Sequence, residues 1–347
     1  MAKIGLKETP MEAAEAYKLS DTDLSRTEEM GRIKSDIVSE IKKVIVGQDK
    51  VIEEILIALF CRGHCLLVGV PGLAKTLLIS TLAGIMELNY NRVQFTPDLM
   101  PSDITGTDVL DEEVGSRKRL FRYIRGPIFT NILLADEINR TPPKTQAALL
   151  QAMQEYKVTA GGATHSLDLP FFVLATQNPI EQEGTYPLPE AQLDRFMFNI
   201  EIGYPSFDQE IDIVASTTSS YRPALRKVVD AGKILEMQDL VRKVPASSHV
   251  IGYAVKLVRA SRPKDTDALS FIREWAEWGA GPRASQYLIL AAKARAVMEG
   301  RYVASTEDVK AVVYPILRHR IIANFKAQAE GITSLDMIER LLREVSP

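Results

Sequence analysis

The hydrophobic pattern in the first part of the chain alternates between short apolar runs and amphipathic stretches. The runs lie at residues 65–68, 92–95, 132–135, 171–175 and 198–202. Each has the length of a strand that is buried on both faces. Apolar residues recur at helical spacing between the runs, at 76–86 and 144–155, and before them at 37–60, where residues 46–49 interrupt the pattern. This alternation predicts a parallel sheet with helices on both sides, preceded by two helices joined by a turn.

The character of the chain changes after residue 203. No further run is typical of a strand, and helical periodicity dominates. The predicted helices are 235–243, 249–261, 270–278, 282–300 and 305–325. We therefore divide the chain into an N-terminal extension at 1–35, an α/β core at 36–204 and an all-helical domain at 205–347.

The composition is that of an ordinary globular protein. The 347 residues are 46% hydrophobic and 25% charged, with a formal net charge of -3. This balance gives no electrostatic footprint for nucleic acid, whose binding needs a concentrated basic face to displace counterions, although it leaves room for a local basic patch. The first 40 residues lack a secretory signal pattern, and the apolar runs are too short to span a bilayer, so we expect a cytoplasmic protein. The only cysteines, Cys61 and Cys65, are four residues apart, which favours packing over a disulfide or half of a zinc site.

The segment Gly-Val-Pro-Gly-Leu-Ala-Lys-Thr at 69–76 follows a predicted strand and opens a predicted helix, as a phosphate-binding loop does. Its backbone N–H groups would hold phosphate oxygens, with Lys75 reaching the terminal phosphates and the Thr76 hydroxyl binding magnesium. The general pattern has a second glycine where this chain has Ala74. The candidate nucleotide-binding residues are Gly69, Val70, Pro71, Gly72, Leu73, Ala74, Lys75, Thr76 and Leu77.

Polar side chains follow two of the later strands. Asp136 and Glu137 end the run at 132–135, where the first carboxylate could hold magnesium and the second could orient or deprotonate the attacking water. Asn178 follows the run at 171–175, at the same predicted sheet edge, where ligands of open α/β sheets bind. The alternatives are an acidic loop start for the carboxylates and a turn asparagine before Pro179.

Longer sequence blocks resemble the MoxR family of AAA+ ATPases. They are Phe-Thr-Pro-Asp-Leu-Met-Pro-Ser-Asp-Ile-Thr-Gly at 95–106, residues 135–155, residues 174–196 and Gly-Pro-Arg-Ala-Ser at 281–285. The resemblance runs from about residue 45 to residue 317. The phosphate loop, including Ala74, is similar to a variant that this family uses.

The resemblance implies a P-loop AAA+ core with a five-stranded parallel sheet, followed by an all-helical lid domain. It also implies ATP and magnesium as cofactors and a ring, most often a hexamer, with each nucleotide between two subunits. Asn178 matches the sensor that aligns water, Arg195 the arginine finger offered to a neighbour, and Arg283 the second sensor. Residues Val46, Gly47 and Gln48 match the stretch near adenine. A guanidinium suits both arginine roles, although either arginine could instead form a structural salt bridge.

The family implies a ring-forming ATPase that remodels, assembles or activates a protein client, with a partner that carries a von Willebrand A-type (VWA) domain and with a membrane involved only indirectly. One alternative is a nucleic-acid motor. The predicted hairpin at 156–170 offers only Lys157 and His165 as basic candidates, and the cluster at 117–125 is more typical of a solvated face. The other alternative is a nucleotide-binding switch with little turnover, which Glu137 and Arg195 disfavour.

Overall fold

The computed structural model describes residues 21–112, 119–180, 184–220 and 223–347. Two compact units make up the described chain. One is formed by residues 35–235, and the other by residues 236–347 with the helical segment before residue 35. The sheet-containing unit thus extends past residue 204, where the sequence predicted the core to end. The first 20 residues of the predicted extension lie outside the described ranges.

The elements are named in chain order. The helices are α1 (Asp21–Ile41), α2 (Asp49–Phe60), α3 (Lys75–Ile85), α4 (Pro101–Thr105), α5 (Pro143–Glu155), α6 (Glu190–Leu193), α7 (Phe207–Thr217), α8 (Ala231–Lys243), α9 (Ser248–Ala260), α10 (Ser270–Trp275), α11 (Pro282–Met298), α12 (Thr306–Leu317), α13 (Phe325–Ala329) and α14 (Ser334–Glu344). The strands are β1 (Cys65–Val68), β2 (Tyr90–Gln94), β3 (Gly106–Glu112), β4 (Arg119–Arg125), β5 (Ile132–Asp136), β6 (Lys157–Ala160), β7 (Ala163–Ser166), β8 (Phe172–Gln177), β9 (Phe198–Glu201), β10 (Ala276–Trp278) and β11 (Ile322–Ala323).

The central sheet has five parallel strands in the order β2-β5-β8-β1-β9. These are the five predicted strands, each within two residues of its predicted ends. The apolar residues of β5 and β8 are buried, as expected for inner strands covered by helices on both faces. The predicted helices at 76–86 and 144–155 are confirmed as α3 and α5, and the two helices before the sheet as α1 and α2. The carboxyl ends of β1, β5 and β8 therefore meet at one edge of the sheet.

Two hairpins interrupt the alternation of strands and helices. The predicted hairpin is confirmed as β6–β7, which turns through two positive-φ glycines, Gly161 and Gly162. The second hairpin, β3–β4, directly follows α4. The ring of Tyr123 on β4 stacks on His165 of β7, with 4.2 Å between their centroids and 11° between their planes. The two hairpins are thus joined through an aromatic contact.

The second unit is mainly helical, as predicted, and α14 lies beyond the last helix that the sequence located. The unit also contains a strand pair that the sequence did not indicate. The strands β10 and β11 pair in antiparallel orientation. As a result, the helix predicted at 270–278 ends at Trp275, and the helix predicted at 305–325 ends at Leu317.

Both cysteines are buried and neither forms a disulfide. Burial raises the pKa of the Cys65 thiol well above its ordinary value, and the charge of Glu54 acts in the same direction. A buried thiol with a raised pKa carries little thiolate, so packing is the main role of this side chain.

None of the helices in the described ranges combines the length and the apolar content that a bilayer-spanning helix needs.

His64, directly before β1, connects β8 and α5. Its Nδ1 accepts a hydrogen bond from the backbone N–H of Val173 at 3.0 Å, so the proton is on Nε2, which donates to the carbonyl of Met153 at 3.0 Å. The ring is buried beside Phe171 and Phe172. Burial lowers the pKa of His64 from 6.5 to about 4, because a charged ring would be buried without the water that stabilises its charge.

We expect the stability of the chain to fall as the pH drops from 6.5 towards 4. The unfolded state protonates His64 at the higher pKa, so the contribution of the neutral ring is complete above pH 6.5 and is lost progressively below it. The shift corresponds to about 3 kcal/mol at the acid end of this range. Urea unfolding at successive pH values would measure it, with His64→Asn as the control that cannot titrate. A wild-type slope equal to that of His64→Asn would contradict the assignment.

Candidate nucleotide-binding site

The predicted phosphate loop lies between β1 and α3, at the carboxyl edge of the sheet. Two of its residues have positive φ: Gly72 at 86° and Ala74 at 53°. Ala74 precedes the first turn of α3 and provides no side-chain cap, which leaves the N–H groups of that turn suited to an anion. The left-handed conformation explains why the general pattern has glycine here, because a Cβ costs about 1 kcal/mol in that region.

Lys75 is anchored across this loop. Its Nζ donates a hydrogen bond to the carbonyl oxygen of Gly69 at 2.6 Å. Burial lowers the pKa of Lys75, while the charges of Asp136 and Glu137 act in the opposite direction. Lys75, Asp136 and Glu137 line the same cavity.

Asp136 ends β5, and each of its carboxylate oxygens has a partner. Oδ1 accepts a hydrogen bond from the hydroxyl of Thr176 at 2.5 Å. Oδ2 accepts two from Arg92, from Nη2 at 2.6 Å and from Nε at 3.1 Å. Both Thr176 and Arg92 come from strands that flank β5, so the sheet itself fixes the orientation of this carboxylate.

Glu137 has a left-handed backbone, with φ of 56°. Its N–H donates to the Thr176 hydroxyl at 2.8 Å, which holds the strained turn in place. Its Oε2 accepts hydrogen bonds from Gln94 Nε2 at 2.8 Å and from Arg140 Nη1 at 3.1 Å. Because both bonds go to Oε2, Oε1 is the oxygen that can accept a proton from water without breaking either.

One cavity of about 480 Å³ brings these groups together. Its lining consists of Pro71, Gly72, Leu73, Ala74, Lys75, Thr76, Leu77, Arg92, Gln94, Asp136, Glu137 and Asn178. The loop, both carboxylates and Asn178 were predicted from the sequence to form a site, and here they share one space. Three polar neighbours of the carboxylates, Arg92, Gln94 and Thr176, were not predicted.

Asn178 satisfies both interpretations of its position. Its side chain is 6% exposed and lines the cavity. Its Oδ1 also accepts a hydrogen bond from the N–H of Ile180 at 3.2 Å, which is the turn interaction of an asparagine before a proline. The turn fixes the oxygen, so the amide nitrogen remains the group that can donate into the cavity.

A second cavity of about 360 Å³ adjoins the first. The two share loop residues from Pro71 to Ala74 and Leu77. The other lining residues are Val44, Ile45, Val46, Gln48, Leu78, Ile202, Tyr204, Pro205, Glu210, Ile213, Val214, Ser216 and Thr217. Val46 and Gln48 were predicted near adenine, and Gly47 between them has a positive φ of 69°. Most of this lining is apolar, which suits the faces of a purine.

The two candidate arginines are in different places. Arg195 follows α6 and is partly exposed, and within the described residues it does not line the phosphate cavity. Arg283 lies in the first turn of α11, in the second unit. Within the unit formed by residues 35–235, the structure brings together the loop, the carboxylates and Asn178, while Arg195 is not among the residues that line their cavity.

The oxygen donors at the cavity fit a magnesium ion. The Thr76 hydroxyl and the Asp136 carboxylate are the hard ligands that Mg²⁺ prefers, and Mg²⁺ is ordinarily held by one or two protein groups with phosphates and waters. Because both oxygens of Asp136 already accept hydrogen bonds, a cation there has to share Oδ1 with Thr176 or take Oδ2 from Arg92.

Comparisons with known proteins agree with this geometry. Residues 64–198 match the model of the ATPase family associated with various cellular activities (AAA), and residues 271–341 match the AAA lid domain. The chain is 41% identical over 314 residues to the chaperone MoxR1 of Mycobacterium tuberculosis, covering 89% of this chain and 81% of the relative. It is 31% identical over 293 residues to the protein MoxR of Methylorubrum extorquens, covering 81% and 85%.

A solved structure is similar over nearly the whole chain. It is that of a proposed ATPase from Cytophaga hutchinsonii, with a TM-score of 0.87 and 42% identity. The match covers 94% of this chain and 98% of that one.

Proposed function

The chain belongs to the MoxR family of AAA+ ATPases, and from this we propose that it is a magnesium-dependent, ring-forming cytoplasmic ATPase that remodels or activates a protein client. One observation carries the proposal: the phosphate loop, the acidic pair and Asn178 line one cavity at the carboxyl edge of the sheet. Binding and hydrolysis of ATP are the activity of this family. The metal, the ring and the client are the parts that we add.

Each residue has a role that follows from its position. The loop N–H groups and the first turn of α3 bind phosphate oxygens, and Lys75 exchanges the carbonyl of Gly69 for the terminal phosphates. Thr76 and Asp136 hold the magnesium, which when bound neutralises phosphate charge. Glu137 takes the proton of the attacking water at Oε1, and Asn178 orients that water.

We assign Arg195 to the site of a neighbouring subunit. Phosphoryl transfer is accelerated by an arginine that stabilises charge on the transferred group. Arg195 does not line the phosphate cavity of its own chain within the described residues, but it is partly exposed and could reach the cavity of another. The site is then complete only in an assembly. Arg283, in the first turn of α11, is proposed as a second phosphate contact.

Mixing two inactive variants tests the assignment of Arg195. We expect Arg195→Ala and Glu137→Gln to be nearly inactive alone but to recover activity when co-assembled. An Arg195→Ala subunit still supplies Glu137, and a Glu137→Gln neighbour still supplies Arg195, so random mixing leaves about one quarter of the interfaces intact. Phosphate release from demonstrably mixed rings measures the recovery.

The control is a mixture of Lys75→Ala with Glu137→Gln. Both of these residues act within the same chain, so no mixed interface regains a full set and no recovery is expected. Equal behaviour of the two mixtures would show that Arg195 acts within its own subunit.

The hairpins favour a protein client over nucleic acid. Leu110 and Phe121 are cross-strand partners on β3–β4, and their side chains are 48% and 76% exposed. Exposed apolar pairs suit contact with polypeptide. On β6–β7, His165 is stacked on Tyr123, which leaves Lys157 as the other of the two basic candidates that the sequence offered in this hairpin. Arg117 and Lys118 of the predicted basic cluster lie outside the described residues, and Arg125 packs over the ring of Phe129.

Affinity capture tests the client. Glu137→Gln, which should hold ATP, is used as bait, and Lys75→Ala is the nucleotide-free control. We expect a protein that carries a VWA domain to be enriched only with Glu137→Gln in ATP, and purified client and ATPase to associate with the same nucleotide dependence. Fluorescence polarisation with single- and double-stranded DNA at low salt examines the alternative. If DNA binding depends on nucleotide and on salt and no client is enriched, the proposal of a remodelling ATPase is wrong and the chain is a nucleic-acid motor.

A further inference from the structure

Arg92 on β2 contacts Asp136, the carboxylate that we propose as a magnesium ligand. Its Nη2 is 2.6 Å from Asp136 Oδ2, and the same nitrogen donates to Gln94 Oε1 at 3.0 Å. Arg92 also lines the phosphate cavity. Its guanidinium therefore occupies Oδ2, one of the two carboxylate oxygens that a cation in the cavity would use.

The sheet explains how the group is held there. β2 pairs with β5 in a register that sets Gln94 opposite Asp136 and Arg92 two residues earlier. Residues two apart on a strand share a face, so both side chains lie on the same side of the sheet as the carboxylate. The Gln94 amide fixes the guanidinium from one side, and Asp136 fixes it from the other.

The exposures of the two partners differ. The Asp136 side chain is 13% exposed and that of Arg92 is 47% exposed. A partly exposed pair contributes little to folding stability, but the more buried carboxylate benefits from a cation close by. Arg92 can move into solvent, whereas Asp136 is fixed by β5 and by Thr176.

We propose that Arg92 is a built-in substitute for the metal, which neutralises Asp136 until a divalent cation enters with the nucleotide and which must then release Oδ2. Arg92 thus sets how strongly the cation stabilises bound nucleotide. It is a positioning residue, because it acts through Asp136. This inference rests on the proposed function, since it assumes that nucleotide and metal bind together at this cavity.

The binding of a fluorescent ADP analogue tests the proposal without hydrolysis. The affinity is measured in EDTA and with saturating Mn²⁺ for wild type and for Arg92→Gln. We expect the affinity with Mn²⁺ to be roughly five- to tenfold higher for Arg92→Gln, because no ion pair has to be broken, and the affinity in EDTA not to rise. An affinity with Mn²⁺ that is unchanged or lower in the variant would overturn the proposal and would instead indicate a phosphate contact or a purely structural pair.

Two further variants make the result specific. Arg92→Lys retains a charge near Oδ2 but cannot donate to that oxygen from two nitrogens, as Nη2 and Nε of Arg92 do, so its affinity with Mn²⁺ should lie between those of wild type and Arg92→Gln. Arg259→Gln removes an arginine of similar exposure, 41%, from an ion pair in the second unit, and should change nothing at this site. Thermal unfolding checks that each variant is folded.

A different outcome would count against the proposed function itself. If wild type binds the ADP analogue equally well in EDTA and in Mn²⁺, no metal acts at this cavity and the magnesium dependence is wrong. If wild type responds to Mn²⁺ and Arg92→Gln responds no more strongly, only the role of Arg92 is wrong.

Discussion

Replacing Lys75 with alanine is expected to lower the affinity for ATP by about a hundredfold or more, and hydrolysis should fall with it. The charge-assisted hydrogen bonds between an ammonium group and the terminal phosphates contribute about 3 kcal/mol, and each 1.4 kcal/mol is about tenfold in affinity. Lys75 lines the cavity, where its bond to the carbonyl of Gly69 can be exchanged for bonds to the phosphates. Titration with a fluorescent ATP analogue measures the loss.

The matched control is Lys157→Ala, which removes an exposed lysine from the β6–β7 hairpin and should leave ATP affinity unchanged. Because Lys75 begins α3, thermal unfolding of both variants is needed to separate loss of binding from loss of fold. Equal ATP affinities for Lys75→Ala and wild type would show that the loop does not hold the phosphates.

The exchange of Glu137 for glutamine should separate binding from turnover. We expect the rate of phosphate release to fall by about two to three orders of magnitude, because general-base assistance typically contributes that much, while ATP affinity stays close to that of wild type. Glutamine has the same shape and can still accept the hydrogen bonds from Gln94 and Arg140, so the strained turn at φ 56° should persist.

Steady-state phosphate release and nucleotide titration on the same preparation provide the measurement. The control is Glu155→Gln, at the end of α5, which removes a carboxylate that is not among the residues lining the cavity. If Glu137→Gln hydrolyses ATP at the wild-type rate, the general base for hydrolysis is a residue other than Glu137. Wild-type protein that binds ATP but releases no phosphate in demonstrable rings would instead support a nucleotide switch.

The sheet was predictable because its inner strands are buried on both faces. The runs that became β5 and β8 are apolar at nearly every position, and this pattern is specific enough to locate each strand within two residues. The residues at the carboxyl ends then follow from the rule that parallel strands end at one edge. That is why the loop, Asp136, Glu137 and Asn178 could be placed together from the sequence.

The partners of the carboxylates could not be found in the same way. Arg92 and Gln94 alternate along β2, which predicts a shared face, but the contact with Asp136 depends on β2 being the neighbour of β5 and on their register. Neither is a local property of the sequence. Thr176 was part of a predicted strand, but its bridge between Asp136 and Glu137 depends on the same kind of pairing.

The second unit shows a different limit. β10 has three residues and β11 has two, which is too short for alternation of polar and apolar residues to be detected. Their pairing joins segments more than 40 residues apart, and such contacts leave no periodic signal. α7 was not predicted, although Phe207, Ile211 and Val214 recur in it at helical spacing; these three side chains are exposed in the structure rather than buried in a core.

The two buried thiols make the chain a convenient background for spectroscopy. The sequence contains no cysteine besides Cys61 and Cys65, and the raised pKa of Cys65 and the burial of both keep them slow to react with maleimides at neutral pH. A single cysteine introduced at an exposed position, such as Phe121 on β4 or Phe325 at the start of α13, could therefore carry a dye while Cys61 and Cys65 stay in place. Distance changes between labelled copies could then be followed during turnover in the otherwise unaltered protein.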